Sequence, residues 1–201
     1  MYPLTDLHEE RLERVTSVLL ASGARRVLDL GCGVGLLLQR LLEEDQFIEL
    51  VGLEYSPQAL AESRQALAGH LDDGQRLTLL QGSFTDKNEQ LAGYDAAAMV
   101  ETIEHIEPGQ LGNAEQAVFG QYRPATVFVT TPNVEYNPLF GLLPGEFREQ
   151  DHRFEWSRPK FRKWAHGVAQ RNGYRVRFGG IGETHDELGQ PTQTALFMRA
   201  D

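Results

Sequence analysis

Leu7, Leu12, Val15, Val18 and Leu19 recur at helical spacing through residues 5–21, so the chain opens on an amphipathic helix with Thr5 as its expected cap. Arg26–Leu30 (RVLDL) is short, apolar and β-branched and then meets Gly31, which reads as a strand running into a tight turn. Leu36–Leu42 is helical in composition, and Phe47–Leu53 reads as a second strand. Ser56-Pro57, a cap residue followed by proline, opens a helix to about His70. Leu77–Gln81, Tyr94–Val100 and 124–131 (ATVFVTT from Ala125) give the third to fifth strands, with a helix near 110–121 before the last. Strand and helix thus alternate five times, the pattern of a parallel sheet covered on both faces. The end of the chain differs. A helix over Ser157–Asn172 precedes two strands, Tyr174–Phe178 and Thr192–Met198, expected as a closing antiparallel pair. Residues 132–156 hold neither period and are long for a plain connection, which points to a functional segment.

A length of 201 residues suits one domain, 1–201, with residues 1–22 as its N-terminal helix and 132–156 as an insertion. With 41% hydrophobic and 24% charged residues the chain can bury a core. Nineteen Lys and Arg against 29 Asp and Glu leave a net charge of −10, which argues against a general polyanion binder. The single cysteine, Cys32, excludes a disulfide scaffold and a multi-thiolate zinc site and suits a reducing compartment. No apolar run approaches the roughly 20 residues of a membrane helix. The acidic start lacks the basic and apolar regions of a signal peptide. The expectation is a soluble cytoplasmic domain.

Gly31, Gly33 and Gly35 follow the first strand directly, where glycines let the backbone approach a ligand beside open helix N–H groups. Glu54 ends the second strand about 20 residues later, where a carboxylate can accept both hydroxyls of a ribose. The spacing is G-x-G-x-G, so it is neither a standard dinucleotide fingerprint nor a P-loop. The set resembles the S-adenosylmethionine site of class I methyltransferases. By that resemblance Asp29, Gly31, Gly33 and Gly35 hold the methionine end and Glu54 the ribose, and Ser83 and Phe84 border the adenine. The competing reading is a glycine turn serving packing alone, with Glu54 a solvated strand end. Cys32 reads as a small packing residue.

The fourth strand runs into E-T-I-E-H-I (101–106), at the strand ends that line the ligand crevice of such sheets. Glu101, Glu104 and His105 stand at i, i+3 and i+4, one face of a helical turn. Two crowded carboxylates repel unless a cation joins them, and carboxylates with an imidazole suit Mg²⁺ or Mn²⁺. His152, in D-H-R-F-E-W (151–156), stands out as a fourth candidate ligand. The plainer reading of the triplet is a charged, solvated helix face.

E-x-x-E-H after the fourth strand, T-P-N-V-E-Y-N (131–137) after the fifth and D-H-R-F-E-W-S-R (151–158) together resemble the Hen1 family. Its members are small-RNA 3′-terminal 2′-O-methyltransferases. The resemblance spans about residues 20–180. It implies an α/β fold of the class I, Rossmann-like methyltransferase type, with a mainly parallel seven-stranded sheet and an antiparallel closing strand. It also implies Glu101, Glu104, His105 and His152 as both catalytic and metal-ligating residues, with S-adenosylmethionine and one divalent ion, Mg²⁺ or Mn²⁺, as cofactors. A divalent ion bound to both ribose hydroxyls lowers the pKa of the 2′-OH and selects the free 2′,3′-diol of an RNA 3′ end. Either His105 or His152 would take the proton. Bacterial members typically carry a further N-terminal half linked to RNA ligation and repair. An RNA ligase or kinase–phosphatase is therefore the expected partner.

Residues 148–177 carry a charge of +6, leaving −16 elsewhere, so a local basic face can meet phosphates. Thr131, Asn133, Arg148 and Arg153 are the candidate RNA contacts. Phe154 and Trp156 either stack on a base or anchor the core, the reading favoured for Phe161 and Trp164. Glu107 has no assigned role. Two rivals stand: a metal-dependent O-methyltransferase of small diols or catechols, and a catalytically silent module that binds RNA ends.

Overall fold

The computed structural model describes residues 4–71 and 76–200. Seven strands form one sheet: β1 (Arg26–Leu30), β2 (Glu49–Glu54), β3 (Leu77–Gln81), β4 (Ala96–Val100), β5 (Thr126–Pro132), β6 (Tyr174–Ile181) and β7 (Thr192–Arg199). Their order is β3-β2-β1-β4-β5-β7-β6. The first five strands pair in parallel, while β7 runs antiparallel to both β5 and β6. The reversed strand therefore lies inside the sheet, and β6 forms the edge. This is the expected mixed sheet of a class I methyltransferase fold.

The helices are α1 (Leu4–Ala21), α2 (Leu36–Leu42), α3 (Pro57–Ala66), α4 (Ala68–Leu71), α5 (Leu111–Glu115) and α6 (Arg158–Asn172). Helix α1 already includes Leu4, so Thr5 is not its cap. The Ser56 side chain accepts from the Ala59 N–H, and Pro57 fills the first turn of α3, as the sequence leads one to expect. The helix expected as far as His70 breaks at Leu67, and the one near 110–121 is α5 continuing into a π-helical turn, Gln116–Tyr122.

Alternation along each strand splits the core in two. Val27, Leu50, Leu77, Ala96, Ala98 and Phe128 meet the stripe of α1 (Leu12, Val15, Leu19) together with α2 and α3. Leu28, Leu30, Leu53, Ala97, Met99 and Val129 face α5, its π turn and α6. Such two-sided burial is what a central parallel sheet demands.

The irregular insertion is closed at its base. Asn133 bridges to Trp156, and the Gln193 side chain on β7 donates to the carbonyls of Pro132 (2.9 Å) and Trp156 (2.7 Å). Between these points lie a 3₁₀ segment, Val134–Phe140, and a run of turns. Its two ends are thus pinned where β5 leaves the sheet, beside the C-terminal ends of β1 and β4.

Candidate functional site

A cavity of about 690 Å³ opens at those strand ends. Gly31, Gly33, Glu54, Ser83 and Phe84 line one part, and Glu101, Thr102, His105, Glu107, Asp151 and Arg153 line the other. One space therefore joins Gly31, Gly33, Glu54, Ser83 and Phe84 of the expected cofactor set to Glu101 and His105 of the expected catalytic set, while Asp29, Glu104 and His152 do not line it.

In the first part, Gly31 takes φ +84, and a Cβ there would stand 2.4 Å from Thr102 Cγ2. Only glycine admits both that conformation and that approach. Glu54 accepts from the Gly33 N–H at 2.8 Å and the Ser56 N–H at 2.7 Å. A carboxylate oriented by two backbone donors keeps lone pairs for a ligand. Asp29 is 2% exposed, and its Oδ2 has no partner among the described residues. Burial, aided by the charge of Glu54, pushes its carboxyl up to about 7. A cationic ligand group would relieve that position, so the set fits a ligand with an ammonium at one end and a ribose at the other. Gly35 does not line the cavity. Its Cβ would meet Ser63 Oγ at 2.7 Å and Leu67 at 2.9 Å, so it serves the packing of α2 on α3. Cys32 is buried in the core, as expected, and burial raises its thiol pKa far from reactivity.

The expected catalytic turn is not the regular helix face that its spacing predicts. Glu101 takes φ +51, and only Ile103–His105 form a 3₁₀ turn. A left-handed non-glycine residue is strained and is held here by its surroundings. The Glu101 N–H donates to the Thr130 carbonyl, the Thr130 hydroxyl donates to Glu101 Oε1 at 2.8 Å, and Arg11 of α1 lies 3.4 Å from Oε2. Glu101 is thereby held toward Thr130 and Arg11 while still lining the cavity. Among the described residues, Glu104, His105 and His152 bring one donor atom each within 4.8 Å of one another, and Glu101 is not in that group.

Glu104 is fully buried. Its Oε2 accepts from the Thr131 hydroxyl at 2.9 Å, while Oε1 has no partner among the described residues. Burial first, then the charge of Glu101, raises its pKa well above the usual carboxylate range. An orphaned carboxylate oxygen beside two imidazoles fits a hard or borderline divalent cation.

Each imidazole has a carboxylate on its Nδ1: Asp151 at 3.1 Å for His105 and Glu155 at 2.6 Å for His152. The rings meet edge to face, 4.8 Å between centroids. The Arg153 N–H donates to the Glu104 carbonyl at 2.7 Å, tying the segment around His152 to the Ile103–His105 turn. Asp151 and Glu155 were visible in D-H-R-F-E-W only as charges; the signal that marks them is their position one before and three after the histidine.

The four candidate RNA contacts part company. Thr131 and Asn133 are fully buried: Thr131 holds Glu104, and Asn133 donates to the Leu188 and Gln190 carbonyls. Arg148 is turned inward, donating to Asn137 Oδ1 and the Asn133 carbonyl and lying over the Phe140 ring. Only Arg153 stands on the cavity wall, half-exposed, 3.3 Å from Glu107. Phe154 and Trp156 stack on each other in the core instead of offering a face to a base. Phe161 is core as expected, and Trp164 packs against that core while partly exposed. Within the basic stretch, Arg158 pairs with Glu135 and Arg171 with Glu115.

A family model described as "Methyltransferase domain" matches residues 28–123. The chain is 36% identical over 203 residues to a "Small RNA 2'-O-methyltransferase" of Xenopus tropicalis, covering 96% of this chain and 55% of that one. It spans about half the length of several such curated relatives. Among solved structures it is similar to the methyltransferase domain of bacterial CtHen1-CN, at 41% identity and TM-score 0.86, covering 96% of this chain and 99% of that one. It is also similar to the small RNA methyltransferase HEN1, at 32% identity and TM-score 0.91, covering 100% of this chain and 26% of that one. Among the described residues no helix is long and apolar enough to cross a membrane.

Proposed function

Because this chain belongs to the Hen1 methyltransferase-domain family, we propose that it transfers a methyl group from S-adenosylmethionine to the 2′-OH of an RNA 3′-terminal nucleotide. The observation that carries this reading is the single cavity lined by Gly33, Glu54 and Phe84 on one side and Glu101 and His105 on the other. Donor and acceptor can meet only if their sites share such a space.

Each residue then has a task. Asp29 and the Gly31–Gly33 turn, whose glycines let the backbone come close, hold the methionine end, the lone pairs left on Glu54 take the ribose, and Ser83 and Phe84 border the base. Glu104, His105 and His152 would hold the divalent cation, and Glu101 completes the set on release from Arg11 and Thr130. A cation bound there supplies Lewis-acid polarisation of a ribose hydroxyl. Thr131 fixes the Glu104 carboxylate. Glu107 and Asp151, acidic groups at the cavity wall, disfavour a terminal phosphate and so favour a free 2′,3′-diol. Arg153 offers a cation to the phosphodiester on the 5′ side. A ligase or kinase–phosphatase acting on the same RNA ends is the proposed partner.

The test is transfer from labelled S-adenosylmethionine to short RNAs ending in a diol, a 2′-deoxy sugar or a 3′-phosphate, with Mn²⁺, Mg²⁺ or EDTA. Transfer to the diol alone, and only with metal, is expected. Transfer to catechols but to no RNA would move the reading to small diols.

A further inference from the structure

We propose that Glu155, which touches neither cofactor nor substrate in the reading above, is the positioning residue that fixes the ring of His152 and presents its Nε2 to Glu104 and His105. The inference rests on the proposed metal site for its consequence, but not for its geometry.

The Glu155 side chain is 0% exposed, and that of His152 is 4% exposed. Glu155 Oε1 lies 2.6 Å from His152 Nδ1 and also accepts from the Arg148 N–H at 2.7 Å. Its Oε2 accepts from Asn137 Nδ2 at 2.5 Å. Each oxygen of Glu155 thus faces a fixed donor, the Arg148 N–H at Oε1 and the Asn137 amide at Oε2. With both oxygens committed as acceptors, the Nδ1 that faces Oε1 is the donor and carries the proton. The tautomer is thereby set, and Nε2 keeps the lone pair needed to ligate.

The carboxylate is itself anchored. Arg148 donates through Nε to Asn137 Oδ1 at 2.7 Å and through Nη2 to the Asn133 carbonyl at 2.8 Å. Asn133 bridges to Trp156, the residue after Glu155. The chain of bonds therefore runs from the end of β5 through Asn137 and Glu155 to the imidazole. Asp151 plays the matching part for His105 but is 72% exposed, where water competes for the same bond. Glu155 is the partner whose orientation water cannot share.

Histidine ¹⁵N–¹H correlation spectra of the metal-free protein, recorded above the imidazole titration range, read the tautomer directly. Mn²⁺ titration by electron paramagnetic resonance, S-adenosylmethionine calorimetry and thermal melts accompany them for wild type, Glu155→Ala and Glu155→Gln. The wild type should show His152 in the Nδ1–H form. Glu155→Ala should mix the tautomers and weaken Mn²⁺ binding about 10–100-fold while leaving S-adenosylmethionine affinity unchanged. Glu155→Gln, whose carbonyl oxygen still accepts from Nδ1, should keep the tautomer and recover part of the Mn²⁺ affinity. A wild-type Nε2–H tautomer overturns the proposal, and so does a folded Glu155→Ala with wild-type spectrum and Mn²⁺ affinity. Should Glu155→Ala not fold, the wild-type and Glu155→Gln spectra decide. A wild type that binds no Mn²⁺ sinks the metal site instead, while the tautomer still decides the role of Glu155.

Discussion

Replacing Asp29 by asparagine probes the cofactor end of the cavity through stability rather than turnover. Asp29 is buried on β1 with an unpartnered Oδ2, and burial followed by the charge of Glu54 raises its pKa from 3.8 to about 7. Below the lower value the carboxyl is protonated in both folded and unfolded chains. Between the two values the unfolded chain ionises while the folded one keeps its proton, so stability falls as pH rises. Above about 7 the loss is complete. A gap of that size corresponds to about 4 kcal/mol. Asparagine is neutral throughout, so its stability curve lacks this slope. Urea unfolding with EDTA present, followed from about pH 4 to about pH 8, should show the Asp29→Asn variant gaining on the wild type by about 4 kcal/mol. Other titrating groups, Glu104 among them, act on both proteins and cancel in the difference. Saturating S-adenosylmethionine, whose ammonium would face the carboxylate, should restore the wild type at high pH and leave the variant largely unmoved. Parallel curves for the two proteins would refute the reasoning.

At the metal end, Glu104→Gln should lower Mn²⁺ affinity at least 100-fold by titration, yet stabilise the metal-free protein above neutral pH, because it removes a buried carboxylate whose pKa is raised. Gly31→Ala must accommodate a Cβ against Thr102 at φ +84. It should destabilise by more than about 1 kcal/mol in thermal melts and weaken S-adenosylmethionine binding by calorimetry. Arg153→Ala should raise the KM for RNA several-fold and reduce its salt dependence by about one phosphate contact, with kcat little changed.

Much of the fold was legible because it is local. Apolar stripes, the Ser56-Pro57 start and glycine breaks fix strands and helices one at a time, and their alternation specifies a parallel sheet. The position of β7 between β5 and β6 was not, since two adjacent strands in sequence can close a sheet in either order. The π turn at Gln116–Tyr122 was also invisible, as its composition is that of an ordinary helix. Phe154 and Trp156 were misplaced by half of their reading: polar neighbours suggested a base-stacking face, but the bridge at Asn133 folds them inward.

The site was legible to the extent that its chemistry lies on contiguous residues. E-x-x-E-H names the turn, but spacing alone treats it as a helix and so makes Glu101, Glu104 and His105 equivalent. The backbone makes them different. A left-handed Glu101 is held toward Thr130 and Arg11, leaving Glu104 as the buried carboxylate grouped with the two histidines. What orients each of these groups comes from far along the chain: Thr131 from β5, Asp151 and Glu155 from the insertion, Arg11 from α1. No local pattern carries such pairings, because they exist only once β5 and α6 have closed the ends of the insertion. The same closure explains why Thr131 and Asn133, legible as polar residues beside the site, turned out to support it from within rather than to face a substrate.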